Sequence, residues 1–314
     1  MPSNFADRLT RAMLARQSQV CVGLDPRIDR MPAHLLARYR AIEPSGCGCG
    51  RKEAAACLEE FCSDIIDAVA PQAVAVKLQL ACFEQYSAPG FRVFRHLVKK
   101  ASKAGLIVIA DAKRGDIGIS AAAYSSAFLG APDGLNARLN SLEIDALTVN
   151  PLFGSDGIEP FLNDCRDYGK GIFILVRTSN PGAAGLQDLR LESGELWHEH
   201  LAGMVDGWGQ DLIGEEGYSS VGAVVGATQP EALARLRAQL PKAILLLPGY
   251  GAQGAGPAEV ASAFDTRGLG ALVTASRSII YAGSGEDYAE AAAGAAQEMR
   301  AGLWQGSGQP KARG

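Results

Sequence analysis

The segment IVIADAKRGDIG, residues 107–118, sets two carboxylates and an amine at the spacing D-x-K-x-x-D: Asp111, Lys113 and Asp116. Side chains alternate along a strand, so Asp111 and Lys113 fall on one face, about 6–7 Å apart along the chain. With that face turned inward, Ile107 and Ile109 pack beneath them. Lys77 shares a face with Ala73 and Ala75, small residues that leave room for a long side chain. Lys77, Asp111, Lys113 and Asp116 are thus expected to form an alternating + − + − array. Half-buried charges are costly alone and tolerable when paired, and such an array is strongly coupled. Carboxylates set beside ammonium groups are the equipment of acid–base and electrostatic catalysis.

The elements that must position this array follow from hydrophobic patterning. Short, nearly continuous apolar runs recur at Gln19–Leu24, Ala73–Leu78, Leu106–Ala110, Ile144–Val149, Gly171–Val176, Val221–Val225, Ala243–Leu247 and Gly270–Thr274. Runs of this kind are strands buried on both faces. Helical patterns lie between them. Leu58, Phe61, Cys62, Ile65, Ile66 and Val69 mark one helix face, and Leu233, Leu236 and Leu240 another after the cap-like Thr228-Gln-Pro-Glu. Further helices are expected near 91–104, 120–141 (broken around Pro132), 156–168, 195–216, 256–264 and 285–303. Eight strands alternating with helices predict a single-domain (β/α)8 TIM barrel over residues 1–303, with an open doubly wound sheet as the fallback. The Gly/Cys-rich segment near 43–52 reads as a loop insert and 304–314 as a disordered tail. Barrel function sits where strands end. The strand ends here carry Asp25, Lys77, the Asp111–Asp116 cluster, Asn150, Ser179, Thr228, Gly249–Gly251 and Arg277.

Composition narrows the classes. The chain has 314 residues, 47% hydrophobic and 20% charged, which excludes a wholly disordered, collagenous or coiled-coil protein. Thirty basic against 34 acidic residues give a net charge of −4, which argues against nucleic acid as a partner and leaves room for a local phosphate pocket. No apolar run is long enough for a membrane span, and the N-terminus lacks a secretion-signal pattern. Seven scattered cysteines do not form a disulfide framework and point to the reducing cytoplasm.

Taken together, several motifs resemble the orotidine 5′-phosphate decarboxylase family, in its longer bacterial branch. They are CVGLDPR with Asp25, AVKLQ with Lys77, the Asp111/Lys113/Asp116-Ile117 segment, Thr178-Ser179-Asn180-Pro181-Gly182, Pro248-Gly249-Tyr250-Gly251-Ala252-Gln253-Gly254, and Ser276-Arg277-Ser278-Ile279. The likeness runs from about residue 19 to about 300, in the family's order at six of the eight strand ends. It implies conversion of orotidine 5′-phosphate to UMP and CO2 with no metal and no organic cofactor. Lys113 would protonate C6 of the pyrimidine, flanked by Asp111 and by Asp116, the latter reaching the partner's site in a homodimer. Lys77 would orient Asp111 and touch the ribose, and Asp25 would bond a ribose hydroxyl. Ser179 would meet the pyrimidine amide, Gln253 and Arg277 would grip the phosphate, and the 181–186 loop would cover the ring. Ile117, Asn150, Thr178, Pro248, Gly249, Gly251 and Ser276 complete the implied substrate-binding set. The chemistry suits these roles: the departing CO2 leaves a carbanion without an electron sink, fixed charge must stabilise it, and neighbouring carboxylates favour a charged lysine.

Other signals are weaker. Gly249-x-Gly251-x-x-Gly254 matches a dinucleotide fingerprint, but it follows the seventh strand and lacks the acidic residue that fingerprint needs. A loop whose backbone N–H groups approach a phosphate is the simpler reading. Cys47-x-Cys49 has no second pair at a zinc-site interval, and His198-x-His200 is not at metal-binding spacing. Two alternatives stay open at this point: a metal-dependent sugar-phosphate decarboxylase or aldolase, and a non-catalytic nucleotide-phosphate binder.

Overall fold

Runs of Val, Ile and Leu separated by amphipathic helices bury both faces only in a parallel sheet sheathed by helices, and the chain folds that way. The computed structural model describes residues 2–42, 50–139, 142–227, 230–251, 254–308 and 310. The strands are β1 (Val20–Leu24), β2 (Ala75–Gln79), β3 (Ile107–Arg114), β4 (Ala146–Val149), β5 (Gly171–Arg177), β6 (Ser219–Val225), β7 (Ala243–Pro248) and β8 (Ala271–Ala275). Each pairs in parallel with the next, and β8 returns to β1 through Val20↔Val273 and Cys21↔Thr274, closing a (β/α)8 barrel. All eight expected runs are strands, displaced by a few residues at their ends.

Helix Arg51–Val69 buries Leu58, Phe61, Cys62, Ile65, Ile66 and Val69, the face that their spacing marks. The helix expected over 120–141 is shorter, Gly118–Phe128, because Gly130 and Pro132 follow and cannot extend it. Helix Trp197–Gly209 continues only as one 3-10 turn, Gln210–Leu212.

The helix Phe5–Arg16 is absent from the sequence reading. Asn4 caps it, its Oδ1 accepting from Ala6 N at 2.8 Å, and Phe5, Leu9 and Met13 form its buried stripe. It closes the barrel floor: the Phe5 ring stands edge-on to Phe173 at 5.9 Å and fills the space that Gly171 leaves.

The tail assignment needs correction. Helix Tyr288–Gly306 runs through its first residues, Ser307 Oγ accepts from Gln19 Nε2 at 2.8 Å, and Pro310 is buried. The Ala- and Glu-rich stretch before Gly306 carries the helix past the expected limit. Residues 309 and 311–314 lie outside the described residues, as do 43–49 of the insert with Cys47 and Cys49. Cys21, Cys57, Cys62, Cys82 and Cys165 are free thiols. No helix among the described residues is long and apolar enough to cross a membrane.

Candidate active site

The centre of the barrel mouth is one carboxylate between two ammonium groups. The β2–β3 register sets Lys77 beside Ile109 and Gln79 beside Asp111. Lys77 Nζ donates to Asp111 Oδ2, and Lys113 Nζ donates to Asp111 Oδ1 at 2.6 Å. Gln79 Nε2 reaches Oδ2 at 3.3 Å, and Thr148 Oγ1 donates to Oδ1 at 3.0 Å. Lys77 and Asp111 are each only 6% exposed, whereas the Lys113 side chain is 45% exposed. Burial alone would discharge both members of the deep pair. For Lys77 it is outweighed by the Asp111 and Asp25 charges together, which hold the ammonium above the ordinary lysine range. For Asp111, burial is outweighed by the charges and hydrogen bonds of Lys77 and Lys113, which hold its carboxyl well below the usual carboxylate range. The pair therefore stays ionised across the neutral range.

Lys113 owes its direction to a break in β3. The β3–β4 register shifts between Ala110 and Arg114, and Lys113 takes φ +49°, a left-handed conformation rare for a residue with a Cβ.

Two compartments meet at this centre. One, of about 210 Å³, is lined by Asp25, Lys77, Gln79, Asp111, Pro248, Gly249, Tyr250, Thr274, Ser276 and Arg277. It is mostly polar, and two of its polar atoms, Asp25 Oδ1 and Thr274 Oγ1, are buried without a partner. An unpaired buried polar atom is ordinarily met by a bound molecule. Gly23 is required here, because a Cβ at that position would fall 1.9 Å from Ser276 Oγ. Tyr281 braces the β1 end by accepting from Arg27 N at 2.8 Å and reaching Asp25 O at 3.4 Å.

The other compartment, of about 230 Å³, is more apolar. Leu175, Val224 and Leu246 line it together with Thr148, Thr178, Ser179, Asn180 and the shared wall of Lys77, Asp111 and Pro248. Its rim is a loop held from below. Arg177 forms a fork with Asp188 at 2.8 and 2.9 Å, and Gln187 Oε1 accepts from Thr178 N at 2.8 Å. His198 Nδ1 faces Gln187 O at 2.8 Å and Asp188 Oδ1 at 3.1 Å, two acceptors that place the proton on that nitrogen. The segment between, Pro181–Ala183 and Ala184–Gln187, is helical turns beside the opening.

Several expected site residues stand apart from these compartments. Asp116 makes no ion pair among the described residues; Ile117 N donates to its Oδ1 at 2.8 Å, so three of the four charges form the array within this chain. Asp116 lines neither compartment, and Ile117, just before the helix from Gly118, is 54% exposed. Asn150 lines neither compartment, and its Oδ1 accepts from Leu152 N, holding a turn. Gly251 N donates to Ala255 O at 2.8 Å and Gly254 N to Gly251 O, so these amides close the glycine loop on itself. Of the three fingerprint glycines, Gly249 lines the polar compartment. Gln253 and Thr228 lie outside the described residues. Among the described residues no group of three or more His, Cys, Asp or Glu side chains is placed to hold a metal ion.

Thr148 and the Arg177–Asp188 fork are absent from the sequence reading, and Gln79, Asn180, Tyr250 and His198 carry no site role in it although they stand in its motifs. Gln79 was findable, since it lies two residues after Lys77 on the same strand face.

A closed barrel whose C-terminal rim holds a buried charge cluster between an apolar pocket and a polar pocket lined by an arginine has the layout of a (β/α)8 enzyme's active site. Comparison with known proteins makes the class particular. The sequence pattern of the orotidine 5′-phosphate decarboxylase / HUMPS family matches residues 18–292, and the chain belongs to that family. It is 43% identical over 279 residues to orotidine 5′-phosphate decarboxylase of Caldicellulosiruptor bescii, covering 89% of this chain and 90% of that one. The enzyme of Rhodopirellula baltica is 42% identical over 288 residues, 92% of each chain. The structure of Leishmania donovani OMP decarboxylase superposes with a TM-score of 0.71 at 30% identity, over 96% of this chain and 99% of that one.

Proposed function

We propose that this chain converts orotidine 5′-phosphate to UMP and CO2, a carboxy-lyase step of pyrimidine nucleotide synthesis, with Lys113 as the proton donor. The observation that carries the reading is the Lys77–Asp111–Lys113 cluster at the junction of the two compartments. A nucleotide fits across that junction. The pyrimidine enters the apolar pocket beside Ser179 and Thr178, the ribose hydroxyls meet the unpartnered oxygens of Asp25 and Thr274, and the phosphate lies toward Ser276 and Arg277. Pro248 and Gly249 form the wall between, and Gln253 joins the phosphate set on the family resemblance alone.

The C6–carboxyl bond then breaks, and its electron pair stays on C6. The Lys113 ammonium stabilises that pair and gives it a proton, leaving a neutral amine that solvent recharges. Asp111 fixes the ammonium in place, and Lys77 keeps Asp111 ionised. Phosphate binding, remote from C6, supplies energy for ordering the 181–186 loop over the ring.

Asp116 and Ile117 act across a homodimer interface. Ile117, Ile119 at 91% exposure, Leu152 and Phe153 are large apolar side chains left open at this edge of the mouth, a surface suited to a second copy. The free thiols fit a cytoplasmic setting.

The test is to incubate the purified protein with orotidine 5′-phosphate and chelator and follow the orotate absorbance, which is expected to fall. Inactive Lys113→Ala and Asp116→Ala subunits are then mixed. Activity returns if Asp116 serves the partner's site, because one of the two shared sites in a heterodimer is intact. No recovery despite proven subunit exchange overturns the cross-subunit role.

A further inference from the structure

Thr148, on β4, is 1% exposed, and its hydroxyl has two committed partners. It donates to Asp111 Oδ1 at 3.0 Å and accepts from the backbone N–H of Lys113 at 2.9 Å. Those partners are the carboxylate that holds the Lys113 ammonium and the main chain from which the Lys113 side chain departs. The second bond lies at the register shift between β3 and β4, where Lys113 is left-handed. Within a regular ladder this N–H would meet a strand carbonyl. Here the threonine hydroxyl takes that part, and an orphaned buried N–H is costly.

We propose that Thr148 is the positioning residue for Lys113, its one hydroxyl locking both the left-handed backbone and the carboxylate so that the ammonium points at the ring compartment. The residue type fits the task. Its β-branch suits a buried strand, and the residue lines the compartment with Leu175, Val224 and Leu246. Valine keeps the shape and loses both hydrogen bonds, whereas serine keeps the hydroxyl and loses the methyl. The inference rests on the reading of Lys113 as proton donor, and the experiment separates the two.

Thr148→Val, Thr148→Ser and Lys113→Ala are compared with the natural protein for kcat, KM for orotidine 5′-phosphate, and UMP affinity. Misplacing a reacting group by a fraction of an ångström to an ångström costs up to roughly 100-fold in rate. Thr148→Val is therefore expected to lose about 10- to 100-fold in kcat while UMP affinity stays within about threefold, and Thr148→Ser to recover most of the loss. Should Thr148→Val fail to fold by thermal melting, Thr148→Ala carries the same prediction. A valine or alanine variant with natural kcat overturns the inference. So does an equal loss of kcat and UMP affinity, or a serine variant as slow as the valine one, since those are the marks of a packing role. Full activity in Lys113→Ala would instead overturn the proton-donor reading itself.

Discussion

The floor and the mouth of this barrel both bury charge, and they treat it differently. On the floor, Arg16 donates to the carbonyls of Ala70, Ala73 and Gly105, and Arg237 to those of Gly270 and Ala243, each at 2.9 Å. Asp7 accepts from the backbone of Glu215 and Glu216 at 3.0 and 2.8 Å. These charges are tied to main chain that cannot exchange partners. At the mouth, Lys77, Asp111 and Lys113 are tied to one another through side chains, and Asp25 Oδ1 and Thr274 Oγ1 have no partner. The floor is not perfectly satisfied, since Gln19 Oε1 and Arg267 Nε are also unpartnered, yet both side chains bond through their other polar atoms. The lesson is that buried polarity marks function where it is left exchangeable, not merely where it occurs.

The contrast can be broken or sharpened by mutation. Lys113→Ala at the mouth should lower kcat by roughly 1,000-fold or more, in line with loss of a general acid, while the protein still binds UMP and melts near the natural temperature. A large drop in melting temperature there would erase the distinction. Arg277→Ala should raise KM for orotidine 5′-phosphate by about 10- to 100-fold, the worth of a charge-assisted hydrogen bond, with a smaller change in kcat. An unchanged KM would remove Arg277 from the phosphate end. Arg237→Met on the floor should do the reverse. Two carbonyls lose their donor at about 1–3 kcal/mol each, so the melting temperature falls by several degrees while kcat/KM stays within about twofold. Loss of activity without loss of stability in that variant would mean that floor and mouth are coupled.

Much of this was legible in the sequence because the strands are continuous apolar runs and the motif residues sit at their ends. Alternation puts Asp111 on the inward face of its strand and Lys77 on that of its own, since that period is fixed by backbone geometry, while the direction of Lys113 depends on the break in β3. Asp116 could not be placed, because the break in β3 and the turn at Gly118 redirect the chain after Lys113, and a register shift leaves no mark in a single sequence. Thr148 was hidden for the same reason: its role depends on which atoms of β3 lose their ladder partners. Asn150, at a strand end, spends its Oδ1 on a local turn, a contact that strand-end position does not foretell. The stripe of the helix Phe5–Arg16, Phe5, Leu9 and Met13 at every fourth residue, is sparse and set among polar residues, so it stands out only once the barrel floor it packs on is in place. The role of His198 is invisible in the sequence because its partners Gln187 and Asp188 meet it only when the loop after β5 folds back.

The seam where β8 meets β1 has a consequence for how the molecule is made. Asp25 emerges early from the ribosome, but Thr274, Ser276 and Arg277, which complete its pocket, come some 250 residues later. The polar pocket is therefore unfinished until nearly the whole barrel has been translated, and Ser276 must then settle over the bare backbone of Gly23. On the proposed seating of the nucleotide, ligand binding is a certificate of finished synthesis: a product truncated before β8 buries hydrophobic surface without completing the pocket.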